Sequence, residues 1–152
     1  MTVVTANFAT HEVRSPRLRV RTPHTRARDF NHGIRLRNLR LQLVRWALSQ
    51  GRTLDIDAAA VILHVMWFKT GDPLDLSQAD VTDLLWIDIV DWCEVRGLPF
   101  PPNVVGTLHT VVDFSGVEGS LRGRGHEIGA LHRRIVANAG ATARSSYLPS
   151  LA

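Results

Sequence analysis

Asp80, Asp83, Asp88, Asp91 and Glu94 form the densest run of chemically capable side chains in this sequence. Five carboxylates so close together are the raw material of a divalent-cation site or of paired acid–base chemistry. Their setting suits neither. A catalytic pair needs two carboxyl groups in a cleft whose surroundings separate their pKa values. Oxygen-rich cation sites use loops that wrap the ion, whereas these residues read as one ridge on a straight helix. The expectation is a solvated face, or a docking surface for the cations of a protein partner or of a second copy.

Other reactive side chains are scattered. His64 lies in an apolar run and reads as a core histidine with one ring nitrogen satisfied. His109 and Asp113 are four apart and share a helical face, which predicts a simple side-chain hydrogen bond. His126-Glu127 followed by His132 lacks the H-E-x-x-H spacing of zinc proteases. The stretch GSLRGRGHEIG is glycine-rich but follows no predicted strand and has no P-loop lysine, so it reads as a connector. Cys93 is the only cysteine, which excludes an intrachain disulfide and a multi-cysteine zinc site; it falls on an apolar helix face, as a packing residue does. No catalytic set, metal site or cofactor is expected.

The charge map is more informative. Residues 1–52 hold eleven arginines against Glu12 and Asp29, a net of +9; residues 53–121 have a net of −9, and residues 122–152 of +4. Both ends are therefore basic and the middle acidic. Arg14, Arg17, Arg19, Arg21, Arg26 and Arg28 fall in a segment with Pro16 and Pro23 and few large apolar residues. That composition predicts an extended basic arm over residues 1–29. Arms of this kind hold phosphate backbones by charge, without reading sequence. Arg35, Arg37, Arg40 and Arg45 continue the basic surface along the first predicted helix. The same cations would equally dock on an acidic protein surface, including the carboxylate ridge.

About five helices must position these groups. Residues 31–50 place Leu36, Leu39, Leu43, Trp46 and Ala47 on one stripe, with Asn31 as N-cap and Gly51 as the terminating glycine. Asp57 is placed to cap a second helix, Ala58 to Lys69, that Gly71 and Pro73 end. It has almost no polar face, from Ala59 through Val65 to Phe68, and so belongs at the centre. Ser77 and Asp80 form a capping box for the helix that carries the ridge and closes at Arg96-Gly97. On a uniform wheel Val81, Leu85, Trp86, Ile89, Val90, Trp92 and Cys93 take its inner side. Pro101 and Pro102 lead into a fourth helix bearing Val104, Val105, Leu108, Val111 and Val112. A last short helix turns Ile128, Leu131, Ile135 and Val136 inward and Arg133 and Arg134 outward.

The reading is an all-α protein: a compact bundle of about five helices over residues 30–140, with a basic arm before it and a frayed tail over residues 141–152. At 152 residues one domain is the expected count. No run approaches a membrane span, and neither membrane partner nor secretory signal is expected. The single cysteine points to a reducing cytoplasm.

Three pieces, MWFKTGDPLDLSQADV, DWCEVRGLPFPPN and LHTVVDFSGVEGSL, resemble the helical core-binding domain of phage-type tyrosine recombinases. They are similar also to helical domains of uncharacterised actinobacterial proteins. The resemblance spans residues 58–121 and implies a helical, nucleic-acid-associated module of a mobile element. The recombinase catalytic domain has no counterpart, and Tyr147, the only tyrosine, matches no catalytic context. The functional expectation is a non-catalytic helical protein that contacts DNA or RNA backbones through arginines. The alternative is a protein-interaction or self-assembly module whose basic arms dock on the acidic ridge.

Overall fold

The computed structural model describes the backbone of residues 23–145 and the side chains of residues 32–140, and every regular element in that span is helical. Five helices follow one another: α1 (Pro23–Ser49), α2 (Ile56–Thr70), α3, α4 (Val104–Glu118) and α5 (Gly125–Ser145). Helix α3 consists of Gln78–Asp83 and Ile89–Val95 joined through a π-helical stretch, Leu84–Asp88. No described helix is long and apolar enough to cross a membrane.

The helix starts show which local signals decided the boundaries. Helix α1 begins at Pro23 and runs through Asn31, so residues 23–29 are helical where an extended arm was expected, and Asn31 lies inside the helix rather than at its start. A proline at the first helical position donates no hydrogen bond that the helix needs there, so Pro23 opens the helix it was expected to exclude. Residues 1–22 of the expected arm lie outside the described residues. Asp55, not Asp57, caps α2: its side chain accepts from Ala58 N–H at 2.7 Å, and Asp57 lies inside the first turn. At the other end Gly71, at φ 78°, takes the left-handed conformation that lets its N–H bond Trp67 O. Ser77 and Asp80 form the full capping box at the start of α3. Helix α5 extends to Ser145, past the expected boundary at residue 140.

The core is built on α2 and α4. Ala58, Ala59, Ile62, Leu63, Val65 and Met66 of α2 are buried, as are Val104, Leu108, Val111, Val112 and Phe114 of α4. Leu36, Leu43 and Ala47 of α1, then Val81, Leu84, Leu85, Ile89 and Cys93 of α3, close around them, with Leu131 and Ile135 of α5. Burial of this apolar surface is the main stabilising term, at about 25 cal/mol per Å² removed from water. The turn before α3 is stitched into this core. Leu74 and Leu76 are buried, and Leu74 O accepts from the hydroxyls of Ser115 and Ser120 at 2.6 and 3.0 Å. Gly119 permits that approach, since a Cβ there would stand 2.7 Å from Ser115 Oγ and 2.9 Å from Leu74 Cβ.

Three expected core residues face out. Phe68 is 71% exposed, Val136 68% and Trp86 48%. Phe68 and Val136 lie at the margins of their apolar stripes. Trp86 has a different cause, the π-helical stretch. There the Ile89 N–H bonds Leu84 O, five residues back, and the extra residue turns Trp86 and Ile87 outward. The Trp86 indole N–H then donates to Asn138 Oδ1 on α5 at 2.8 Å.

Candidate functional site

Helix α1 carries the basic surface. Arg35, Arg37 and Arg45 are exposed and Arg40 half-exposed, and none makes an ion pair or side-chain hydrogen bond among the described residues. Arg26 and Arg28 belong to the same helix, though their side chains are outside the described set, and Arg14, Arg17, Arg19 and Arg21 precede it. Between Arg37 and Arg45 runs an apolar ridge of Ile34, Leu41 and Leu48, all exposed, at seven-residue spacing. The surface expected to carry Arg35, Arg37, Arg40 and Arg45 thus carries an apolar ridge as well.

Three of the five carboxylates of α3 are taken up by a cation of the chain itself. Lys69, the only lysine of the chain, reaches from the end of α2 to Asp83 at 2.9 Å, Asp88 at 3.0 Å and Asp80 at 3.5 Å. Partial burial of the ammonium works against its charge, but hydrogen bonds to Asp83 and Asp88 and their Coulomb attraction outweigh it, holding the Lys69 pKa well above the usual lysine range. Asp91 and Glu94 remain exposed and have no ion pair among the described residues. The five acids thus split into three gathered on Lys69 and two open to solvent. Beside them Phe68, Trp92 and Val95 line a cleft of about 390 Å³ between α2 and α3. Arg96 lies over the Trp92 ring, 3.2 Å from its centroid.

A third cluster brings His132 and Arg52 to the expected pair of His109 and Asp113. His132 on α5 donates through Nε2 to Asp113 Oδ1 of α4 at 2.6 Å, and its Nδ1 lies 2.7 Å from His109 Nδ1. Arg52, stacked on Trp46, is ion-paired with the other oxygen of Asp113. The expected direct His109–Asp113 contact is therefore routed through His132. A nitrogen–nitrogen hydrogen bond holds one proton. In the neutral pair His109 Nδ1–H donates to His132; when His132 is protonated the direction reverses. A second proton would break the link. Burial, then the neighbouring His132 and Arg52, push the His109 pKa down, with Asp113 pulling the other way. His64 has one ring nitrogen satisfied as expected, its Nδ1 bonded to Ala60 O at 2.6 Å, but it is half-buried rather than in the core.

Among the described residues no group of three or more His, Cys, Asp or Glu side chains is arranged to hold a metal ion. Cys93 is buried, and burial pushes its thiol pKa up against the opposing influence of Arg96, so it suits packing rather than nucleophilic attack. No protein-family model, curated protein or solved structure matches the chain.

Proposed function

We propose that this chain is a helical nucleic-acid-associated protein that holds phosphate backbones through the arginines of α1 and of the segment preceding it. The observation that carries this reading is the state of the α1 guanidinium groups. Arg35, Arg37, Arg40 and Arg45 have no carboxylate partner among the described residues, while Lys69 alone gathers three acids of α3. The α3 acids thus engage none of these guanidinium groups, and the arginine helix is left free for an external anion. Guanidinium groups suit phosphate because their planar fork of donors matches its oxygens. The resemblance of residues 58–121 to a recombinase core-binding domain supports the same class of partner.

The test is fluorescence anisotropy with labelled duplex DNA and duplex RNA over a range of salt. Binding should weaken with salt, the logarithmic slope giving the number of phosphates neutralised. Replacing Arg35, Arg37 and Arg45 together by glutamate should flatten that slope by up to about three and weaken binding for every sequence alike. Binding that ignores salt and both this triple variant and removal of residues 1–22 would sink the reading. The relative affinities for DNA and RNA identify the backbone preferred.

A further inference from the structure

Two exposed apolar surfaces on this molecule have no cover among the described residues, and their flanking charges are opposite. One is the α1 ridge, with Leu48 74% exposed and only arginines among the charged residues from Arg35 to Arg45. The other is the α2–α3 cleft, with Phe68 71% and Val95 81% exposed. The cleft is lined by Asp88 and Asp91 against Lys69 and Arg96, and Lys69 is also held by Asp80 and Asp83 at its edge, so the surroundings are net acidic, with Asp91 open to solvent. Exposed apolar side chains grouped in this way mark interaction surfaces more often than ordinary surface.

We propose that copies of this chain assemble head to tail, the α1 ridge of one copy seating in the α2–α3 cleft of the next. Charge decides against the symmetric alternatives. Ridge on ridge would oppose Arg37 and Arg45 to their own copies, and cleft on cleft would oppose two net acidic surroundings. Ridge in cleft pairs guanidinium with carboxylate around an apolar centre, the anatomy of a specific interface. Because the two surfaces differ, the contact is heterologous and repeats from copy to copy, giving a ring or an open chain rather than a closed pair.

The experiment is light scattering on nuclease-treated protein, so that it stands apart from nucleic-acid binding. The variants are Leu48→Asp, which spoils the ridge, and Val95→Asp, which spoils the cleft; both sites are exposed and tolerate a charge without unfolding. The wild-type protein should grow beyond a dimer with concentration at low salt and dissociate at high salt. Each variant alone should associate roughly tenfold or more weakly. Mixed in equal amounts the two should form a one-to-one complex and stop, because only one ridge and one cleft remain intact. A wild-type protein that stays monomeric at low salt overturns the proposal. So does a dimer indifferent to either substitution, or a mixture that fails to pair.

Discussion

Asp113 on α4 accepts from His132 Nε2 on α5 at 2.6 Å while its second oxygen is ion-paired with Arg52 from the α1–α2 connection. One carboxylate thus fastens three parts of the bundle. Both the Asp113 and His132 side chains are largely withdrawn from solvent, so the bonds are little screened. Asp113→Asn keeps the shape but removes the charge that pairs with Arg52 and strengthens the bond from His132. It should lower stability by about 1–3 kcal/mol in urea denaturation, whereas Arg52→Gln, at the exposed end of the chain of contacts, should cost less than about 1 kcal/mol. Equal costs for the two would contradict this ranking.

The same cluster makes stability depend on pH. The folded protein holds His109 below the ordinary histidine pKa, so the unfolded chain binds the proton more readily. The favourable contribution is whole above about pH 7 and is lost as pH falls through the unfolded value of about 6.5 toward the folded one. Urea midpoints should therefore fall on acidification across that window. His109→Gln should flatten the slope there, and an unchanged slope would show that other groups carry it.

Lys69 stands among three carboxylates, so removing it leaves Asp80, Asp83 and Asp88 facing one another. Lys69→Met should cost about 1–2 kcal/mol, the sum of several weak, partly exposed pairs with mutual repulsion added. Salt should recover part of the loss by screening the acids, and thermal melts of the variant at low and high salt would measure it. The folded pKa of Lys69 is raised, so its contribution is complete below the unfolded value of about 10.4 and fades only at higher pH. Neutral pH should leave it untouched.

Asp55→Ala and Asp57→Ala separate the observed cap of α2 from the one expected. Asp55 bonds Ala58 N–H directly, so its loss should cost about 1 kcal/mol. Asp57 offers only a favourable charge in the first turn, for which a loss of about 0.3–0.5 kcal/mol is expected. Melting temperatures of the two variants check the order.

How far the sequence spoke is clear from such cases. Local chemistry was legible: the Ser77–Asp80 capping box and the left-handed Gly51 and Gly71 are where their spacing put them. The all-helical bundle followed from apolar periodicity in the same way. What spacing could not provide was contact between distant residues. His132 meets Asp113 across 19 positions, and Lys69 meets Asp88 across the same interval. The presence of one lysine among seventeen arginines, just before the acidic run, was the available signal for Lys69. Periodicity misled where the helix changed pitch.

That change of pitch yields the most specific expectation. Val81, Leu85, Ile89 and Cys93 are all buried, yet on a uniform α-helix Cys93 would lie about 120° around the axis from Val81. The π-helical Leu84–Asp88 absorbs one extra residue and returns Ile89 and Cys93 to the core. Deleting Ile87, which is exposed, should convert the stretch to ordinary α-helix while both flanks keep their places. The separation of Val81 and Cys93 falls to eleven residues, about 20° from perfect alignment. The deletion should therefore leave stability within about 1 kcal/mol of the parent. Inserting an alanine after Ile87 turns the inner residues of the second half away from the core and should cost at least about 3 kcal/mol. Circular dichroism melts of the two variants decide it. If the deletion proves as damaging as the insertion, the π-helical stretch is not the register correction that this geometry makes it.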